Sequence, residues 1–347
     1  MRTLVYDPYL AALGGGELYI LMLAQELASQ GEVTFLVPEE GLIAGLKERF
    51  GLDLAGINWQ VGRVTTGEVS RLSARYECFL CTTLANPPQN RARRGILIIQ
   101  FPFGPRPPRR VAESYHLILC YSHYSREWIQ RRWGLTPEIL YPAPPEGPLP
   151  VKEKKDLILS VGRLQVGLNT KCLPVLMRTF SAYIRDKMPS WEYYVIGGRG
   201  RSHEDCSYYQ TLSRLAAECG VHLCSDLPRQ ELLELLAAAK VYWHGTGFTH
   251  PNQPESAEHF GISIVEALAA KAVPLVYPVG GPAEIVADGV TGFFWSTPQQ
   301  LAEKTILLAR DHRLRARLAQ EGCRAATRYS QSRLRSKFRH LLGRINQ

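Results

Sequence analysis

Residues 142–155 read PAPPEGPLPVKEKK, dense first in proline and then in charge, a composition that suits neither a helix interior nor a central strand. The stretch reads as a linker, and the pattern on its two sides decides the fold. Downstream come the strand LILSVG, a helical pattern through Phe180, the strand YYVIGG, a helix from about Tyr208 to Cys219 and the run VHLC. Helix Arg229–Ala239, strand VYWHG, helix Ile262–Ala270 and strand VPLVYP follow, before a tail of helices rich in Arg, Leu and Ala. Upstream the same alternation has already run once. TLVYD, a helix from about Glu17 to Gln30, EVTFLV and a helical stretch towards Phe50 precede the apolar runs CFLCTTL, GILIIQF and HLILCYS. SHYSREWIQRRWG then reads as a helix stopped by Gly134, and EILYP as a strand ended by proline. Continuous β-rich runs are what strands covered on both faces require, and their alternation with helices gives parallel sheets. The expectation is an α/β protein of two Rossmann-like, doubly wound parallel-sheet domains facing a central cleft. The first takes residues 1–148 and the second residues 149–325. Ligands of such sheets bind outside the carboxyl ends of the strands, here in that cleft.

Length and composition agree. Two domains of ordinary size fit 347 residues better than one core, and the apolar and charged fractions, 45% and 21%, are those of a folded globular chain. The start, MRTLVYDPYLAALGGGE, has no basic region followed by a long apolar one, and no apolar run approaches the ~20 residues of a membrane span. This predicts a cytoplasmic protein. Eight cysteines then read as reduced thiols. Cys78 and Cys81 form the one Cys-x-x-Cys, inside a run that reads as a buried strand, and no second pair at comparable spacing suggests zinc.

The net charge of +9 is unevenly spread: from Arg91 to Arg110 there are six arginines and no acid. A basic surface attracts nucleic acid, anionic lipid or phosphorylated small molecules. Zinc-finger, RNA-binding aromatic and basic-zipper signatures are all missing, so no nucleic-acid partner is expected. The interleaved ILIIQFPFGP makes peripheral membrane contact through Arg91–Arg110 the sharper expectation, beside an ordinary solvated basic face.

Four glycine-bearing turns lie where strands meet helices. LGGGE, Gly14 to Glu17, lets backbone approach a ligand at a helix start, but lacks the spacing of a dinucleotide fingerprint. SVGRLQVGLNTK carries Arg163 just after a strand and Lys171 eight residues on, two cations suited to a diphosphate. YVIGGRG and PVGGPAEIV are the others, with Pro282 at the first turn of a helix. In ESAEHFGISIVEALAA, Glu258 and Glu266 flank a helix start. Ser263-Ile-Val-Glu266 also fits a capping box, which would occupy Glu266 with its own cap.

Taken together, VGRL…K, YYVIGGRG, EHFGISIVEALAAKAVPLVYPVGGPAEIV and TGFFW resemble the donor-binding half of glycosyltransferase family four, whose members are retaining, nucleotide-sugar-dependent enzymes of GT-B architecture. GGGELYILMLAQELASQG and YSHYSREWIQRRWG…ILYPAP extend the resemblance over most of the chain, and YWHGTGF with the long Arg-to-Lys gap is similar to the branch holding Alg11-like mannosyltransferases. The resemblance implies a C-terminal helix, 326–347, packing back on the first domain. It implies that Glu266 meets the ribose, Glu258 the donor hexose, and the amides around Gly261, Ile262 and Ser263 the diphosphate. Arg163 and Lys171 neutralise the departing nucleoside diphosphate, Gly15 and Gly16 bring the other domain's backbone against it, and His244 lines the sugar pocket. The implied reaction moves mannose or glucose from a nucleoside-diphosphate sugar to a hydroxyl of a lipid-linked or polysaccharide glycan. GDP-mannose is favoured and a UDP-sugar is the alternative; no cofactor or metal is required, since Arg and Lys supply the positive charge. A non-catalytic nucleotide-sugar-binding protein and a sugar-nucleotide epimerase share the fold. Two departures stand out: Lys271 occupies a position often taken by glycine, and Gln100 stands where many relatives carry an acceptor-side histidine.

Overall fold

In the computed structural model, which describes residues 1–147, 149–167 and 171–345, the chain forms two compact units. One comprises Met1–Pro145 with the C-terminal segment from Ser330, and the other Glu146–Tyr329.

The first unit is built on a seven-stranded parallel sheet: β1 (Arg2–Tyr6), β2 (Glu32–Val37), β3 (Ile57–Val61), β4 (Cys78–Thr83), β5 (Arg94–Ile99), β6 (Leu117–Cys120) and β7 (Glu138–Ile139). Their spatial order is β3-β2-β1-β4-β5-β6-β7, so the winding reverses between β1 and β4. Central strands are mostly apolar because both faces are covered; β4 and most of β5 are buried along their length. Only the edge strand β3, INWQV, is not apparent as an apolar run, since most of it is exposed. Helix Gly15–Ala28 begins two residues before the sequence pattern suggests, because Glu17 reaches back to accept a hydrogen bond from the Gly14 amide at 2.7 Å. Gly134, at φ +63°, closes helix His123–Trp133 in the left-handed conformation glycine adopts without strain. The final helix, Gln331–Arg344, lies against this unit: Arg344 pairs with Glu138 at 2.7 Å and Arg339 with buried Glu26 at 3.4 Å, over buried Leu334, Phe338, Leu341 and Leu342.

The second unit repeats the plan with β8 (Lys155–Val161), β9 (Glu192–Gly197), β10 (His222–Ser225), β11 (Ala239–His244), β12 (Val273–Val276) and β13 (Phe293–Phe294), in the order β10-β9-β8-β11-β12-β13. All pairings are parallel, and the reversal falls between β8 and β11. Its core gathers Trp243, Trp295, Tyr193, Phe180 and Leu176. Two parallel-sheet Rossmann-like domains are thus joined in tandem within the proline-rich stretch. Among the described residues no helix is long and apolar enough to cross a membrane.

Cys78 and Cys81 sit in the core of the first sheet, and burial pushes the Cys78 thiol up to about 12. The arginine-rich segment is divided: Arg94 opens β5, whereas Arg91, Arg93, Arg106, Arg109 and Arg110 are exposed and Arg109 pairs with Glu113 at 2.6 Å.

Candidate active site

The second sheet reverses its winding between β8 and β11, and the residues singled out in this half collect at the carboxyl ends of those strands. After β8 the chain stays tied to its neighbour: the amides of Gly162 and Leu164 donate to the carbonyls of Ile196 and Gly198, each at 2.9 Å. Arg163 therefore has a fixed backbone and an exposed side chain, with no hydrogen-bond or ion-pair partner among the described residues. Gly162 is small for a reason: a Cβ there would lie 2.4 Å from the Lys171 side chain. Residues 168–170, within the long Arg-to-Lys gap, lie outside the described residues.

Lys171 forms an ion pair with Glu258, and both side chains are about 15% exposed (15% and 14%). Glu258 is fixed from behind by the glycine turn that precedes helix Pro282–Ile285. The Gly281 amide donates to its carbonyl at 2.7 Å, and a Cβ on Gly280, at φ +83°, would come within 2.2 Å of the same oxygen. His244, the last residue of β11, completes the cluster. Its Nε2 lies 3.2 Å from Glu258 Oε2 and 3.1 Å from Thr246 Oγ1, while buried Nδ1 has no partner. With Glu258 ionised and acceptor-only, Nε2 carries the hydrogen and Nδ1 is a bare acceptor. Burial alone would push the Glu258 carboxyl up, but Lys171 and His244 override it and hold the group well below the usual carboxylate range. Burial depresses His244, the hydrogen bond to Glu258 opposes it and Lys171 adds to it, and the net shift favours the neutral ring.

Helix Ile262–Ala269 opens from Gly261, at φ +109°, with no side chain capping it. Its first bonds run from Ile264 and Val265 to the Gly261 carbonyl, so the amides of Ile262 and Ser263 are at the tip, where a helix end favours an anion. The capping-box reading of Ser263 and Glu266 is overturned. The Ser263 hydroxyl instead accepts a hydrogen bond from Tyr242 at 2.8 Å, and Glu266 accepts one from the Arg229 guanidinium at 2.5 Å. The positive φ at Gly261 puts the cap two residues earlier than a serine cap requires. Tyr242 is buried, and its hydroxyl also lies 3.3 Å from the Val161 carbonyl.

The structure thus brings Lys171, His244 and Glu258 into contact and sets Gly261, Ile262, Ser263 and Glu266 on one short helix. Arg163 reaches none of them through a bond, and Gly15 and Gly16 belong to the first unit. There Gly16 has a packing reason of its own, since a Cβ would lie 2.4 Å from the Gln100 amide nitrogen. Gly197 and Gly200 of the YVIGGRG turn are likewise needed for close approach, to Gly162 and to Asp205. Arg229 and Thr246 escape a reading of the sequence. Arg229 opens an ordinary amphipathic helix 37 residues from its partner, and nothing local marks it.

Comparison with known proteins follows the same division. Residues 146–324, just over half of the chain, match the family described as glycosyl transferases group 1. A human GDP-Man:Man(3)GlcNAc(2)-PP-Dol alpha-1,2-mannosyltransferase is 32% identical over 171 residues, 45% of this chain and 32% of the human protein. Its Dictyostelium discoideum counterpart is 31% identical over 161 residues, 43% of this chain and 29% of that protein. Each match therefore spans about a third of the relative. Anabaena HepE, solved in complex with UDP, superposes with a TM-score of 0.72 at 15% identity, covering 99% of this chain and 100% of its own, which is a likeness of fold. By the match over just over half of its length, the chain belongs to the glycosyl transferases group 1 family.

Proposed function

We propose that the protein is a retaining hexosyltransferase that moves mannose from GDP-mannose to a hydroxyl of a lipid-linked glycan. The observation that carries the reading is the buried Lys171–Glu258–His244 cluster beside an uncapped helix tip. In the reaction a glycosidic C–O bond to the diphosphate breaks and the acceptor oxygen takes the same face of the anomeric carbon. The diphosphate leaves with the electron pair, and the acceptor's proton passes to it. Positive charge must meet the leaving group without prior reorganisation. Arg163, the amides of Ile262 and Ser263, and Lys171 supply it, so that Lys171 shares its charge between phosphate and Glu258. Glu258 and the bare Nδ1 of His244 accept hydroxyl hydrogens of the hexose. Glu266, held by Arg229, accepts those of the ribose. Each charge-assisted phosphate contact contributes about 1.5–3 kcal/mol, so Arg163→Ala is expected to slow turnover roughly tenfold to a hundredfold.

Donor and acceptor identities draw on the curated relatives, whose names specify GDP-mannose and a dolichol-diphosphate glycan. Membrane contact through the exposed arginines between Arg91 and Arg110 fits a lipid-linked acceptor. The test is a panel of GDP-mannose, GDP-glucose, UDP-glucose and ADP-glucose, read by thermal shift and by product formation on a mannosyl lipid. A shift and product with GDP-mannose support the reading. A shift without product points to a non-catalytic binder, conversion without an acceptor to an epimerase, and no shift with any donor overturns it.

A further inference from the structure

The glycine turn YVIGGRG supplies no group to the donor site, yet the segment that carries Arg163 is tied to it along its length. Gly162 and Leu164 donate to the carbonyls of Ile196 and Gly198, each at 2.9 Å. Leu164 is level with Arg199, and its side chain is fully buried. The next amide in this alternation, that of Val166, goes to a side chain instead: Asp205 accepts it through Oδ1 at 3.1 Å. Asp205 lies in the first turn of helix His203–Cys219, three residues past the cap Ser202. Capping occupies its other oxygen, since the Ser202 hydroxyl donates to Oδ2 at 2.7 Å and accepts from the Asp205 amide at 3.0 Å. The bond from the Ser202 hydroxyl, with smaller contributions from the two backbone amides, holds the carboxyl below its ordinary value. Gly200 leaves the room: a Cβ there would lie 2.0 Å from Asp205 Oδ2.

The turn is itself fixed from the residue that follows β10. Asp226 accepts from the Arg199 amide at 3.1 Å and from its Nε at 3.2 Å, and its own amide donates to the Gly197 carbonyl at 2.9 Å. In doing so Asp226 adopts φ +54°, a left-handed conformation that is strained for a residue other than glycine. Two carboxylates in series thus connect the end of β10, through the glycine turn, to the Arg163 segment. A guanidinium on a long, exposed side chain loses much freedom when it grips an anion, and a backbone ordered beforehand reduces that loss. We propose that Asp205 is a positioning residue, whose carboxylate fixes the backbone from which Arg163 meets the donor diphosphate. The assignment rests on the transferase reading above. Asp205 acts through the Val166 amide and touches no substrate, and the glycines that look like a ligand loop serve a cation on the neighbouring strand.

The test is a double-mutant cycle on the full chain, reading calorimetric affinity for GDP and for UDP in wild type, Asp205→Ala, Arg163→Ala and the two combined. Asp205→Ala should weaken the tighter nucleotide about fivefold in wild type, yet change it less than about twofold once Arg163 is alanine. Asp205→Asn keeps an acceptor for the Val166 amide and should bind like wild type. Gly200→Ala displaces the carboxylate without removing it and should reproduce the loss. Equal losses in both backgrounds would show that Asp205 supports the fold alone, and would overturn the positioning role. Wild-type affinity in Asp205→Ala, or an Asp205→Asn as weak as Asp205→Ala, would overturn it as well. Wild type that binds neither nucleotide would instead sink the transferase reading, and this assignment with it.

Discussion

Glu258 is the residue on which the proposed donor site turns, and its environment makes definite demands. Lys171 is its cation, so Lys171→Met leaves a carboxylate buried without one and should cost about 3 kcal/mol in urea unfolding. Lys171→Met combined with Glu258→Gln should recover most of that stability but no turnover. The neighbouring His259 gives a second, independent handle. Burial lowers its ring to about 4, so the neutral form is favoured in the folded state. A depressed value stabilises the fold above the unfolded value of about 6.5, and that stability is lost as pH falls towards 4. The contribution is about 3 kcal/mol, expected as a falling urea midpoint over that window and flattened in His259→Gln. Asp7 has the opposite sign: its raised carboxyl favours the fold at low pH and loses that contribution as pH rises through the folded value. Both glutamates are legible in the sequence because their spacing is local. Arg229, which holds Glu266, is not, because the pair is made by two helices meeting in space.

At the scale of elements, strands buried on both faces announce themselves as apolar runs, and β3 does not because solvent covers most of it. Helix ends are less legible. The Ser263 capping pattern is present in sequence yet unused, since Gly261 turns the chain earlier and Tyr242 takes the serine hydroxyl. Glycines that look like ligand loops prove to serve close packing as well. Gly280→Ala would combine a left-handed φ with a Cβ against the Glu258 carbonyl, and a loss of about 3 kcal/mol with parallel loss of turnover is expected. Lys271 is the reverse case. The residue that interrupts the family's glycine adopts φ +57° just past helix Ile262–Ala269 and lies exposed. Lys271→Gly should relieve that strain and raise stability by about 1 kcal/mol, read as a higher thermal midpoint with turnover unchanged.

Over the whole molecule, two sheets of the same plan each reverse their winding once, and the proposed donor-site residues His244 and Arg163 lie at the reversal in the second unit. The strand–helix alternation makes this legible, while the shared face of Asp7, Gln100 and Tyr121 is not, as they follow three different strands, β1, β5 and β6. The last helix contributes Phe338, fully buried in the first unit, and Phe338→Ala should destabilise that unit by about 3–5 kcal/mol. The most direct test of the donor site is calorimetric titration of the full chain with GDP-mannose and with GMP, in wild type and Lys171→Met. Binding of GDP-mannose at least ~tenfold tighter than GMP in wild type, with most of that preference lost in the variant, is the expected result, one charge-assisted contact's worth. Equal affinity for the two nucleotides, or a preference that survives the loss of Lys171, would contradict it.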